Sequence, residues 1–302
     1  MLRFGLCCIF KKVDIQFRRT TAKYLHTLTR KRRLQYLSEI CLHNARALQA
    51  SLQFCLQNGI GDFRINSQIL PLKTHPQFKY EIDELPDGKR IRAIFTECGA
   101  FALQNDLRTT FHPDQFILLS SPDPTITARS VEDLKYQAQV ATWIRADVIN
   151  IHAGGAYGKK SQTLLRLTRQ IEKLPDAVRS RLTLENDDHL YNPSDLLPVC
   201  KDTGIPLVYD VHHHRCLPDG MRTERITEMA LATWNREPLF HVSSPLGGWN
   251  ASNPRRHDDY VKLRDFPTCW LDLNLTVEIE AKAKEQAVLK LKRAILKKQL
   301  RK

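Results

Sequence analysis

The stretch Val148-Ile149-Asn150-Ile151-His152-Ala153-Gly154-Gly155 decides how this chain is read. It opens as a short β-branched run and ends on a histidine and two glycines. Residues 161–174 beyond it carry the spacing of an amphipathic helix. Strand, turn and helix in that order make a βα unit, the repeating element of a parallel sheet. The same pattern recurs on both sides. Further strands are expected at Leu2–Ile9, Gly61–Asn66, Arg108–His112, Arg181–Glu185, Leu207–Val211, Leu239–Ser243 and Leu275–Ala281. Helices are expected near Leu34–Gln57, Lys89–Gln104, Val131–Ala146, Ser161–Leu174, Pro193–Thr203, Thr223–Asn235 and Lys284–Leu300. Asn192-Pro193-Ser194 opens one helix and Gly204-Ile205-Pro206 closes it. Only residues 245–274 show little periodicity. Eight strands alternating with helices over 302 residues predict the α/β class and a single (β/α)8 TIM barrel. A doubly wound sheet is the alternative from pattern alone.

Composition agrees with one domain spanning residues 1–302 and a basic tail at about 290–302. Hydrophobic residues are 42% of the chain, enough for a sizeable core. No apolar run approaches the roughly 18–20 residues that cross a bilayer. The apolar opening is broken by Arg3 and followed by Lys11-Lys12, which reads as a buried strand rather than a signal peptide. Eight cysteines without CxxC spacing point to reduced thiols in a cytoplasm. Against 33 acidic residues stand 46 Lys and Arg, a net charge of +13. Such an excess favours a polyanionic partner, because neutralised phosphates release counterions.

The ionisable residues fall at the carboxyl ends of the strand candidates. His112 ends the third, His152 the fourth, and Glu185-Asn186-Asp187 the fifth. Asp210-Val211-His212-His213-His214, His241 and Glu278-Ile279-Glu280 end the next three. A lone histidine after a strand is ordinarily packing or surface. Six consecutive strands delivering such residues to one face of a parallel barrel are not explained that way, since that face builds active sites. Imidazole and carboxylate together suit Zn²⁺ or Mn²⁺.

These motifs resemble those of the UV damage endonucleases. Phe-His-Pro-Asp-Gln-Phe (111–116), Ile-His-Ala-Gly-Gly (151–155), Leu-Glu-Asn-Asp-Asp (184–188) and Tyr-Asp-Val-His-His-His-Arg-Cys (209–216) are similar in order and spacing. So are His-Val-Ser-Ser-Pro (241–245), Arg-Arg-His-Asp-Asp-Tyr (255–260) and Glu-Ala-Lys-Ala-Lys-Glu (280–285). The resemblance implies a barrel, distantly akin to endonuclease IV and the xylose-isomerase-like proteins, that nicks lesion-bearing double-stranded DNA 5′ of UV photoproducts. Other helix-distorting lesions form a further substrate class. It implies divalent metal ions, Mn²⁺ usually, two to three per chain. The implied ligands are His112, His152, Glu185, Asp210, His213, His241, His257 and Glu280, with Glu185 bridging two ions. His75 corresponds to a catalytic, non-ligand histidine near the scissile phosphate. Gln115 and Phe116 correspond to a Gln-Tyr pair that wedges into the duplex where damaged bases are flipped out. Several metals together can bind phosphate oxygens, generate hydroxide near neutral pH and stabilise the leaving oxyanion.

Two positions depart from the pattern. Leu239 stands where the family carries a carboxylated lysine, which leaves the third ion short of a ligand unless Asp258, Asp259 or water supplies one. Leu6 stands where the family has an aromatic residue. The first βα loop is basic, with Lys11, Lys12, Arg18, Arg19, Lys23, Arg30, Lys31, Arg32 and Arg33. On the catalytic face, Arg18, Arg19, Lys31 and Arg32 are candidates to hold DNA phosphates. Trp249 is a further residue that can touch DNA. The expected protein is a monomer with no membrane partner. An abasic-site endonuclease of the endonuclease IV kind is the first alternative. A sugar isomerase on the same barrel is disfavoured by the basic excess and the wedge pair. A DNA-binding descendant without catalysis is disfavoured by the otherwise full ligand set.

Overall fold

Each strand alternates in a way that assigns its two faces. In Leu182-Thr183-Leu184-Glu185 and Leu207-Val208-Tyr209-Asp210 the large apolar residues fall on one side and the ionisable ones on the other. All these residues are buried, so both faces of the sheet are covered, as in a parallel sheet wrapped by helices. A computed structural model of the chain describes residues 1–114 and 116–300.

In chain order the elements begin β1 (Leu2–Cys7), α1 (Ala22–His26), α2 (Arg30–Gln57), β2 (Asp62–Ile65) and α3 (Gly88–Gln104). Then come β3 (Arg108–Phe111), α4 (Pro124–Ile144), β4 (Val148–His152), α5 (Lys160–Glu172), α6 (Asp176–Arg179) and β5 (Leu182–Glu185). The chain continues through α7 (Pro193–Thr203), β6 (Leu207–Asp210), α8 (Val211–Cys216) and α9 (Thr223–Leu231). It ends with β7 (Leu239–Val242), β8 (Leu275–Ile279) and α10 (Glu285–Gln299). The strands close a parallel barrel in sequence order, with β1 pairing both β2 and β8. This is the (β/α)8 TIM barrel expected from the pattern.

Outward residues such as Phe63, Ile151, Leu184, Tyr209, Phe240 and Ile279 pack into the core between strands and helices. The interior is layered differently. At the amino-terminal end Arg108 forks onto Asp147 (Nε to Oδ1 3.0 Å, Nη2 to Oδ2 2.8 Å), and Arg3 Nε donates to Glu237 (2.9 Å). Val148, Val208 and Leu239 form a small apolar layer with half-buried Trp234 packed against it. Above them the interior is polar, with Asp62, Arg64, Thr110, Asn150, Thr183, Glu185, Asp210, His241 and Glu278 all buried. Buried charges are tolerated only when paired and hydrogen-bonded. The ionisable groups inside this barrel therefore lie in two zones, one at each end, on either side of the apolar layer.

Three sequence expectations need correction. Helix α2 begins at Arg30, capped by the Thr29 hydroxyl, so Arg30–Arg33 form its first turn rather than part of a loop. Polar first turns hide helix starts from apolar periodicity. The basic stretch from Lys290 belongs to α10 as far as Gln299 and is not a tail; residues 301 and 302 lie outside the described residues. The sixth strand stops at Asp210, and the histidine run becomes α8. In keeping with the low periodicity of residues 245–274, the β7–β8 connection holds two 3₁₀ turns, Leu263–Asp265 and Thr268–Trp270, and among the described residues no α-helix. Buried Trp270 packs there against Tyr209 and Phe240.

Gly5 shows how tightly the interior is filled. A Cβ there would collide with Asp62 Oδ2 and lie 2.9 Å from Glu278 Cγ. Gly5→Ala is expected to destabilise the fold by about 1–3 kcal/mol, the usual cost of overpacking. Urea unfolding measures this, and an unchanged midpoint would show that the two carboxylates move aside freely.

Candidate metal centre

Glu185 ends β5 on its inward face, where the parallel register sets it beside His152 of β4. The side chain is fully buried. Its Oε2 lies 2.8 Å from His112 Nε2 and accepts from the Asn150 amide at 2.6 Å. Its Oε1 lies 3.0 Å from His241 Nδ1 and 3.4 Å from His213 Nδ1. Burial alone would raise the Glu185 carboxyl; His241, His152 and His112 outweigh it and hold the group well below the usual carboxylate range. Burial opposes protonation of His241, yet the facing Glu185 raises its pKa to about 10. His213 is likewise raised against its burial, by Asp210 and Glu185. In His152 burial wins and the pKa falls.

Asp210 has two tasks. Its Oδ1 accepts from the His213 backbone N–H at 2.8 Å, which caps α8. That turn places His213 three residues on, its Nδ1 3.7 Å from Asp210 Oδ2. The Oδ2 atom itself is buried without a hydrogen-bond partner, as is Nδ1 of His152. Orphaned buried acceptors are rare and point to a further partner at that position, such as an ion.

Donor atoms converge in three groups, each within 4.8 Å: His112, Glu185, His241 and Glu280; His213, His257 and Glu280; Glu185, Asp210 and His213. Every pair of groups shares one residue (Glu185, Glu280 or His213), so the three form a closed triangle. Mixed imidazole and carboxylate donors fit Mn²⁺ or Zn²⁺. Seven of the eight residues implied as ligands are in these groups, and His152 Nε2 lies 3.8 Å from Glu185 at their edge. His257 reaches them from the β7–β8 connection, where its bridge to Pro245 folds the loop back over the barrel mouth.

The remaining expectations resolve as follows. His75 is outside the donor groups and stacks on Phe78 at 5.1 Å. It lines a cavity of about 240 Å³ together with Lys73, Pro113, Asp114 and Phe116. Phe116 is 74% exposed, so it does not act as loop packing; Gln115 lies outside the described residues. Arg18, Arg19, Lys31 and Arg32 are exposed around the first βα connection. Asn44 pins that loop through both backbone groups of Arg18 (2.7 and 3.0 Å). Trp249 is tied inward, its indole donating to Asp265 at 2.9 Å.

Leu239 lies in the apolar layer below His241, and Leu6 faces the helices. The departure at Leu6 therefore does not alter the catalytic face. Asp258 is engaged by Lys262 (3.4 Å) and the Asp259 N–H (2.7 Å). Glu280, rather than Asp258, is the carboxylate grouped with His213 and His257. Arg64 escaped the sequence reading, and Glu278 was placed there among the strand-end ionisable residues without a role. Arg64 donates to Glu278 (Nε, 2.5 Å) and to Glu280 (Nη1, 2.6 Å) from inside the barrel. The available signal was alternation, since Asp62 with Arg64 and Glu278 with Glu280 each share a strand face.

The chain matches the family described as UV-endonuclease UvdE over residues 2–301. It belongs to that family. A UV DNA damage endonuclease of Bacillus velezensis is 36% identical over 286 residues, covering 90% of this chain and 86% of the relative. The crystal structure of SacUVDE superposes with a TM-score of 0.88 at 24% identity, covering 99% of both chains. Endonuclease IV from Thermus thermophilus gives 0.62 at 14% identity, covering 98% of this chain and 99% of that one. These two share the fold.

Glu185→Gln and Asp210→Asn each remove an anionic donor at constant size. Divalent-metal affinity in equilibrium dialysis is expected to fall roughly tenfold or more, since losing even an outer partner of a ligand costs about 10–100-fold. Wild-type affinity in both variants would locate the ions elsewhere.

Proposed function

We propose that this UvdE-family chain is a metal-dependent endonuclease that cuts duplex DNA 5′ of UV photoproducts and acts also on other helix-distorting lesions. The observation that carries this reading is the triangle of three donor groups joined through Glu185, Glu280 and His213 at the barrel mouth. Mn²⁺ is the proposed ion, with two or three per chain. Bound there, such ions supply positive charge for phosphate oxygens and favour ionisation of the attacking water. The third, at His213, His257 and Glu280, is held most weakly, because His257 and Glu280 are 25% and 15% exposed.

The chain's own residues supply the rest. Exposed Arg18, Arg19, Lys31 and Arg32 hold backbone phosphates. Cations at the positive amino-terminal end of α2 repel the helix dipole, and a bound polyanion relieves that repulsion. His75 Nδ1 accepts from the Gln77 N–H at 3.2 Å, so the neutral ring carries its proton on Nε2. It is therefore set to donate to the scissile phosphate or to help place the water. Phe116 stacks against the bases beside the lesion, with Gln115 as its partner in the wedge. A sugar substrate would use neither the exposed aromatic ring nor the basic rim.

The chain works as a monomer in a reducing cytoplasm. Its eight cysteines are all free, and among the described residues no helix is long and apolar enough to cross a membrane.

Nicking of UV-irradiated duplex is expected with Mn²⁺ and not with excess chelator. Equal cutting in chelator would remove the metal from the mechanism, and equal cutting of unirradiated duplex would remove the lesion. Phe116→Ala is expected to lower the preference for irradiated over intact DNA by roughly 1–3 kcal/mol, the worth of one base–aromatic stack. Metal content should stay at the wild-type level. An unchanged preference would assign the wedge to another residue.

A further inference from the structure

The turn between β8 and α10 carries the motif Glu280-Ala281-Lys282-Ala283-Lys284-Glu285, of which only Glu280 enters the donor groups. Lys284 holds φ 51° and ψ −121° there. Glycine takes that backbone conformation without strain, whereas a residue with a Cβ does not. The surroundings impose it from both sides. The Lys282 and Ala283 N–H groups donate to the Asp258 and Asp259 carbonyls at 3.1 and 3.0 Å. The Lys284 carbonyl accepts from Ala287 and Val288 at 2.9 and 3.1 Å, which opens α10. Glu285 is buried, and its two oxygens accept from the Lys11 and Lys12 backbone N–H groups at 2.8 Å each. The turn is thereby fixed to the basic first βα loop. A lysine stands where a glycine would suit the backbone better.

The side chain supplies a reason for the strain. Half-buried Lys284 lines a cavity of about 380 Å³ at the barrel mouth, together with Cys8, Arg64, His257, Glu280 and Lys282. His257 and Glu280 are two of the three donors in the third group. The neighbouring carboxylates are engaged elsewhere: Glu280 with Arg64, Glu285 with the loop amides and Asp258 with Lys262. Among the described residues no carboxylate lies within ion-pair distance of the Lys284 ammonium. We propose that Lys284 binds substrate at the cleavage site: its ammonium holds a DNA backbone phosphate beside the third donor group, and the strained turn keeps it there. This rests on the endonuclease reading above. A fixed cation at the rim of an ion site attracts the polyanion that must descend to reach the ions. Part of the lysine stem is already buried, so less side-chain freedom is lost when the phosphate arrives. The contact extends the basic first loop to the edge of the metal centre.

The test is fluorescence anisotropy of the intact chain on irradiated and unirradiated duplex, in chelator to prevent cutting, across a range of salt. Lys284→Gly is the main variant, because it removes the ammonium and relieves the backbone. Affinity at about 0.1 M salt is expected to fall roughly fivefold to tenfold, and the log–log salt slope to become shallower by about 0.9, the worth of one phosphate contact. The loss should be equal on both duplexes, because a phosphate contact carries no information about the bases. Lys284→Arg should retain most of the affinity. Lys297→Met, the same charge change in the last turn of α10, should bind as the wild type does. Wild-type affinity and slope in Lys284→Gly would overturn the assignment. So would an equal loss in Lys297→Met, or a loss confined to irradiated DNA. If urea unfolding shows that Lys284→Gly is destabilised, Lys284→Met is compared with Lys284→Arg: weaker binding by the first alone supports the contact, and equal binding overturns it. Nicking by the wild type with Mn²⁺ is measured in parallel. Its absence sinks the endonuclease reading itself, while equal DNA binding by a nicking wild type and Lys284→Gly sinks only the role of Lys284.

Discussion

The Glu185 carboxylate is the point on which the rest of the site depends. It is fully buried inside the barrel, where an unpaired carboxylate would cost several kcal/mol. The surrounding architecture offsets that cost. His112 comes from the end of β3, Asn150 from β4, and His241 from β7, and each places a nitrogen within 3.0 Å of a Glu185 oxygen. Every one of those partners needs its own support. Asn150 accepts from the Thr183 hydroxyl at 2.9 Å, and His241 rests on Glu278. The network continues downwards until it meets the apolar layer of Val148, Val208 and Leu239. That layer separates the reactive end from the structural ion pairs of Arg3 and Arg108 at the other end. Charge is thus confined to two zones with a dry partition between them.

The same constraint explains why an arginine sits among groups suited to cations. Glu185, Glu278, Glu280 and Asp210 bring four carboxylates into a small volume, and in the metal-free protein something must balance them. Arg64 and the raised pKa values of His213 and His241 do so. Burial pushes the fifth carboxyl, Asp62, upwards, with neighbouring Glu278 adding to the shift. Such a site is built around positive charge, and divalent ions replace protons in it rather than entering a neutral pocket.

Much of this was legible in the chain. Each of the eight strands was recognised to within about two residues, because short apolar or β-branched runs alternating with amphipathic stretches are a strong local signal, and six of them close on a histidine or carboxylate. His112, His152, Glu185, Asp210, His213, His241, His257 and Glu280 stood out by motif. The failures share a physical cause. Six-residue α8 is too short to display a helical period, so Val211 was read as the end of a strand and no helix was expected in the histidine run after it. The first turn of α2 is all cationic and does not look amphipathic. The β7–β8 connection carries its order in tertiary packing around Trp270, not in any repeat. Arg64 lacked a motif to distinguish it from an ordinary strand residue, and Glu278 was noticed at its strand end without a role.

By itself the sequence determined the alternation of each strand, the count of βα units and the kinds of donor at the carboxyl ends, because these depend on local period and residue chemistry alone. Which donors are shared was decided only by tertiary structure. Arg64 and Glu278 are 214 residues apart and meet because the barrel closes β1 between β2 and β8. Closure also decided that Leu239 packs with Val148 and Val208, and that Leu6 turns towards the helices. Side-chain parity follows from the chain, but what lies across the barrel from a given side chain follows from strand order and register, which no short stretch of sequence encodes.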